Sequence, residues 1–114
     1  MTDTNKFAIF AFRGEKPCVL HAILNCADMR ERGMDALIIL EGGSVKLLEQ
    51  MYNDQFPLSW KEIKPLIDCA CLGCSKMFQV DELARVAGVR LEGGMSQHVS
   101  MADYIQKDYQ VIYM

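Results

Sequence analysis

Short apolar runs recur along this chain with helix-like patterns between them, and that alternation limits the fold more than any other feature. Lys6-Phe7-Ala8-Ile9-Phe10-Ala11-Phe12 is continuous in apolar, aromatic and branched residues, as a strand covered on both faces should be. Arg13-Gly14-Glu15-Lys16 turns the chain. Pro17 then suits the first turn of a helix whose apolar residues include Leu20, Ile23, Leu24, Ala27 and Met29, with Gly33 as its stop. A second run, Ala36 to Leu40, is closed by Glu41-Gly42-Gly43, after which Ser44 is expected to cap a helix carrying Leu47, Leu48 and Met51. Ser59 and Glu62 form a capping-box pair between the staple positions Leu58 and Ile63, and Pro65 keeps that helix short.

The same rhythm continues to the end. A third strand is expected from about Leu66 into a cysteine cluster, with Gly73 as a turn and a helix from Ser75 to Ala87 that breaks near Asp81. Gly88 ends it, Val89-Arg90-Leu91-Glu92 reads as a fourth strand, Ser100 caps another helix, and Tyr109 to Tyr113 is the last strand. Five strands alternating with helices predict a three-layer α/β/α fold around a mostly parallel five-stranded sheet, joined by right-handed crossovers. With 114 residues, 51% of them hydrophobic, the whole chain from 1 to 114 reads as one domain.

In such a sheet, ligands gather at the carboxyl ends of the strands. Four turns leave that edge: Arg13-Gly14, Glu41-Gly42-Gly43, Cys71-Leu72-Gly73-Cys74 and Glu92-Gly93-Gly94. The tetrapeptide Leu-Glu-Gly-Gly occurs twice, at Leu40 to Gly43 and at Leu91 to Gly94. Neither copy completes a dinucleotide-binding or P-loop pattern, and a net charge of -3 with no dense basic run disfavours nucleic acid as a partner. No apolar run approaches the roughly 18 residues of a membrane span. The start Met1-Thr2-Asp3-Thr4-Asn5 lacks the basic and apolar regions of an export signal. These features lead to the expectation of a cytoplasmic protein.

Three of the five cysteines fall in Cys69-Ala70-Cys71-Leu72-Gly73-Cys74. Reducing surroundings argue against a disulfide scaffold and favour reactive or metal-binding thiols. Cys71 is the expected nucleophile, near amide donors that favour thiolate. Cys74, three residues on, is within reach to resolve a persulfide or mixed disulfide on Cys71. Cys69 shares a strand face with Cys71 and is either a third relay thiol or core. Cys18 and Cys26 are about 12 Å apart along a continuous helix, too far for a disulfide, and read as packing. A zinc or iron-sulfur site is the chemical rival, although a second short cysteine or histidine pair is missing and only His21, His98, Cys18 and Cys26 remain as further ligands. His98, beyond the fourth strand, is a partner contact, a proton donor or an ordinary loop histidine. Arg13 and Lys76 could add positive potential beside Cys71 or simply be solvated.

The order of parts, and above all Cys71-Leu72-Gly73-Cys74-Ser75-Lys76-Met77, resembles the DsrE/DsrF-like sulfur-relay family over nearly the whole chain. Gln79 stands where many relatives have glycine. The resemblance implies a sulfur carrier or sulfurtransferase that holds sulfane sulfur as a persulfide on Cys71, without a cofactor, between donor and acceptor proteins. It further implies a trimeric or hexameric homo-oligomer. The rival expectation is a metal-binding or noncatalytic assembly subunit.

Overall fold

The computed structural model describes residues 5–114; the reading of the Met1 to Asn5 start falls, apart from Asn5, outside that range. Five strands form one sheet: β1 (Lys6–Ala11), β2 (Asp35–Leu40), β3 (Ile67–Cys71), β4 (Leu91–Glu92) and β5 (Gln110–Tyr113). Their order is β4-β3-β2-β1-β5, and every pairing is parallel. Steps from β1 to β4 all run the same way, and the return to β5 reverses. Right-handed crossovers therefore place the first helices on one face and the last on the other, giving the three-layer α/β/α arrangement.

The helices are α1 (Lys16–Glu31), α2 (Leu48–Tyr52), α3 (Trp60–Ile63), α4 (Leu72–Met77), α5 (Asp81–Val86) and α6 (Met101–Ile105). Val19, Ala22, Ile23 and Cys26 of α1 are buried. In the strands, Ala8, Ile9, Phe10, Ile38, Ile39 and Leu40 are almost completely excluded from solvent. This is why β1 and β2 read as unbroken apolar runs rather than alternating ones. On the α6 side, the Tyr104 ring meets Phe10 edge-on at 5.6 Å. Among the described residues no helix is long and apolar enough to cross a membrane.

Several boundaries differ from the sequence reading for local reasons. Ser44 does not cap a helix; it lies inside a 3-10 turn, Gly42–Leu47, and its buried Oγ donates to the carbonyl of Ala11 at 2.6 Å and of Glu41 at 2.9 Å. The serine ties the first two strand exits together instead. The helix expected from Ser75 to Ala87 begins at Leu72 and is split at Gln79, whose φ of 60° is left-handed and incompatible with a continuing helix. The fourth strand shrinks to Leu91–Glu92 because Val89 turns its N–H back to the carbonyl of Ala84 at 2.8 Å. The Ser59–Glu62 capping box and the Ser100 cap form as expected.

Candidate functional site

Cys71 ends β3 and is also the cap of α4: at φ −67° and ψ 125° its backbone is extended, and its Sγ accepts the N–H of Cys74 at 3.5 Å. Gly73 thus lies in the first helical turn and not in a preceding loop. Its lack of a side chain serves close approach. A Cβ there would sit 3.0 Å from the Gln97 carbonyl oxygen and 3.2 Å from the His98 ring. The Gly73 N–H donates to that same carbonyl at 2.7 Å, clamping the loop after β4 onto α4.

That loop is a tight hairpin. Met95 and His98 exchange backbone hydrogen bonds of 3.0 and 2.8 Å, and the central residues Ser96 and Gln97 have φ of 51° and 74°. Two positive φ values make this a turn of type I′. Neither residue is glycine or asparagine, so holding both left-handed costs on the order of 1 kcal/mol each. The outcome is the position of His98: its Nδ1 lies 3.2 Å from Cys71 Sγ and 3.8 Å from Cys74 Sγ.

A third strand exit completes the site. The N–H of Gly42, beyond β2, donates to Cys74 Sγ at 3.2 Å. Gly42 is left-handed at φ 57°, and this conformation turns its amide toward the sulfur. The two thiols differ in access, a matter the spacing left open. Cys71 is fully buried, Cys74 is 9% exposed, and His98 is exposed. Burial pushes the Cys74 thiol up to about 11; its hydrogen bond with Cys71 adds to this and the Gly42 amide opposes it. Glu41 is likewise raised above the usual carboxylate range, chiefly by burial, against the pull of His98. Beside His98 opens a cleft of about 430 Å³ lined by Phe12, Glu41, Met95, Met101 and Tyr113 among others.

The other sequence-predicted residues lie elsewhere. Cys69 is buried in the core with its Sγ 3.4 Å from the Tyr104 hydroxyl, and burial pushes it up to about 11. Tyr104 also donates to Asp68, which pairs with Arg90 at 3.0 Å. A register shift between β2 and β3, where Asp68 is passed over, lets consecutive residues reach one tyrosine, as a bulge does. Cys26 is buried and half-buried Cys18 lies on the same helix. His21, Arg13 and Lys76 are exposed. The two sulfurs find their partners in Gly42, the Cys74 amide, Gln97 and His98. The pairing of His98 with Cys71 had no spacing signal across 27 residues; its only trace was the shared strand edge. The Gly42 amide had the same trace and no other, since its turn also leaves that edge.

No family model matches the chain. An uncharacterised protein of Methanocaldococcus jannaschii is 29% identical over 111 residues, spanning 93% of this chain and 91% of its own length. An uncharacterised protein of Archaeoglobus fulgidus is 46% identical over 37 residues, 32% of this chain and 61% of its own. A solved structure, a conserved protein of unknown function from Bacteroides thetaiotaomicron, matches with a TM-score of 0.73 at 22% identity over 96% of this chain and 95% of that one. This likeness establishes the shared fold.

Proposed function

We propose that the protein carries sulfane sulfur as a persulfide on Cys71 and passes it between protein partners in the reducing cytoplasm. The observation that carries this reading is the placement of His98 Nδ1 3.2 Å from Cys71 Sγ, a thiol and a proton-accepting group in the arrangement of an activated nucleophile. The Cys71 sulfur attacks the outer sulfur of a donor persulfide, R–S–SH. The donor S–S bond breaks, the proton from the Cys71 thiol passes by way of His98 to the leaving sulfur, which departs as R–SH, and Cys71–S–SH forms. Sulfur keeps its oxidation level throughout, so this exchange needs no external oxidant. Delivery to an acceptor thiolate is the same step in reverse.

Cys74 serves as the resolving thiol. Its attack on the inner sulfur of the persulfide expels hydrosulfide and closes a Cys71–Cys74 disulfide, which a thiol reductant then opens. Burial of Cys71 means that the donor sulfur enters past Cys74 and His98. The rim of that entrance is apolar, with Phe12 45%, Met95 51%, Met101 37% and Tyr113 56% exposed, a surface suited to a protein partner that brings the sulfur in.

Reduced protein treated with a low-molecular-weight persulfide should gain one sulfur, located on Cys71 by peptide mass and removable by dithiothreitol. Cys71→Ser should abolish the adduct while circular dichroism stays unchanged. His98→Ala should slow loading about 100-fold, the usual worth of a positioned proton-transfer group. An adduct that persists in folded Cys71→Ser removes Cys71 from the mechanism.

A further inference from the structure

We infer that Cys71, Cys74 and His98 form a binding site for a zinc-class divalent cation, with two thiolates and one imidazole as ligands and a fourth position open to the cleft. The inference rests on the spacing of the donor atoms and stands apart from the persulfide reading. Zn–S bonds near 2.3 Å and Zn–N bonds near 2.0–2.1 Å, arranged tetrahedrally, set S···N edges at about 3.5 Å and the S···S edge at about 3.8 Å. The two S···N distances here are 3.2 and 3.8 Å, and all three donor atoms lie within 4.8 Å of one another. On the two S···N edges, a cation at their centre needs shifts of about 0.3 Å.

The surroundings suit the same ion. Amide N–H groups already point at both sulfurs, Gly42 at Cys74 and Cys74 at Cys71, and such outer donors steady metal-bound thiolates. Thiolates with imidazole select zinc and similar soft or borderline ions over magnesium or calcium. The three donors come from two segments, the β3–α4 junction and the β4 hairpin, held in place by the Gly73–Gln97 hydrogen bond, so the fold preforms the site. Binding converts two thiols to thiolates and releases up to two protons per ion. His98 lines the cleft together with Glu41 and Met95, and water or a small sulfur ligand from that cleft would complete the shell. Because the cation and a persulfide use the same Cys71 sulfur, each excludes the other.

The test is anaerobic titration of reduced, chelator-treated full chain with Co²⁺ and then Zn²⁺. The expected result is one Co²⁺ per chain, with near-ultraviolet thiolate charge-transfer bands and the intense visible bands of tetrahedral cobalt, bleached by Zn²⁺. Cys74→Ser and His98→Ala should each weaken binding more than about 100-fold, beyond the 10–100-fold of an outer-sphere change. Cys26→Ala, on α1, should leave it intact. Octahedral pale cobalt, the absence of charge-transfer bands, or unchanged affinity in folded His98→Ala would overturn the site. Sulfur loading measured by mass on the chelator-treated protein is a separate readout, so either proposal can fail without the other.

Discussion

The two Leu-Glu-Gly-Gly exits put the same four residues to opposite uses. After β2, the first glycine of the pair is buried and left-handed, and its amide faces a sulfur. After β4, the exit runs outward into the His98 hairpin, and its second glycine gives its N–H to Glu92 at 3.0 Å. The glutamates diverge in the same way. Glu41 is raised by burial, whereas Glu92 is held below the usual range by the Gly94 amide and then by Arg90. Identical local sequence thus acquires different chemistry from what the neighbouring strands place beside it: β2 is central in the sheet and β4 is an edge.

The difference can be broken most strongly at the first exit. Gly42→Ala should lose about 2 kcal/mol in urea unfolding, because φ of 57° strains any side chain and a Cβ would lie 2.5 Å from the Phe12 ring. A cost below about 0.5 kcal/mol would mean that the backbone there relaxes freely. Second in size is Gln97→Gly in the hairpin of the other exit. It should stabilise the fold by about 0.5–1 kcal/mol by relieving a left-handed residue, and at the same time slow sulfur loading as His98 gains freedom.

The glutamates sharpen the contrast with opposite signs. Glu92, with its lowered pKa, contributes stability that is present above its ordinary 4.5 and lost as pH falls through the folded value. Glu41, raised, has its stabilising share in full below 4.5 and loses it as pH rises through the folded value. At pH 7, Glu92→Gln should therefore destabilise and Glu41→Gln stabilise, each by a few tenths of a kcal/mol given partial solvent screening; thermal melts at pH 7 and pH 3.5 read both. Two changes of the same sign at pH 7 would erase the distinction. Smallest of all is Gly94→Ala, expected within about 0.5 kcal/mol of wild type. The nearest non-adjacent atom to a Cβ there is the tip of the Glu92 side chain, at 3.1 Å.

The strands were legible because burial on both faces leaves a continuous apolar run, as at Phe7 to Ala11 and Ala36 to Leu40. The caps at Ser59 and Ser100 were legible because their bonding is local. Ser44 looked identical to these in sequence and misled, since its partner, the Ala11 carbonyl, is 33 residues away. The helix break expected near Asp81 falls two residues earlier, at Gln79, whose φ of 60° glycine adopts without strain and glutamine does not. Of the candidate site, the cysteine pair was visible in its spacing. His98 and the Gly42 turn were placed at the same strand edge, but their contact with the two sulfurs was not legible, because only the order of strands brings three separate exits to one place.

The hairpin from Met95 to His98 begins and ends at a mutually bonded pair of residues beyond the last residue of β4. A loop closed in this way can be lengthened, shortened or exchanged without altering any strand register, so the thiol pair and its imidazole partner are separable in evolution. A different side chain at the end of that loop would give the same two cysteines a different third group, and so a site of different chemistry, through a change of a few residues.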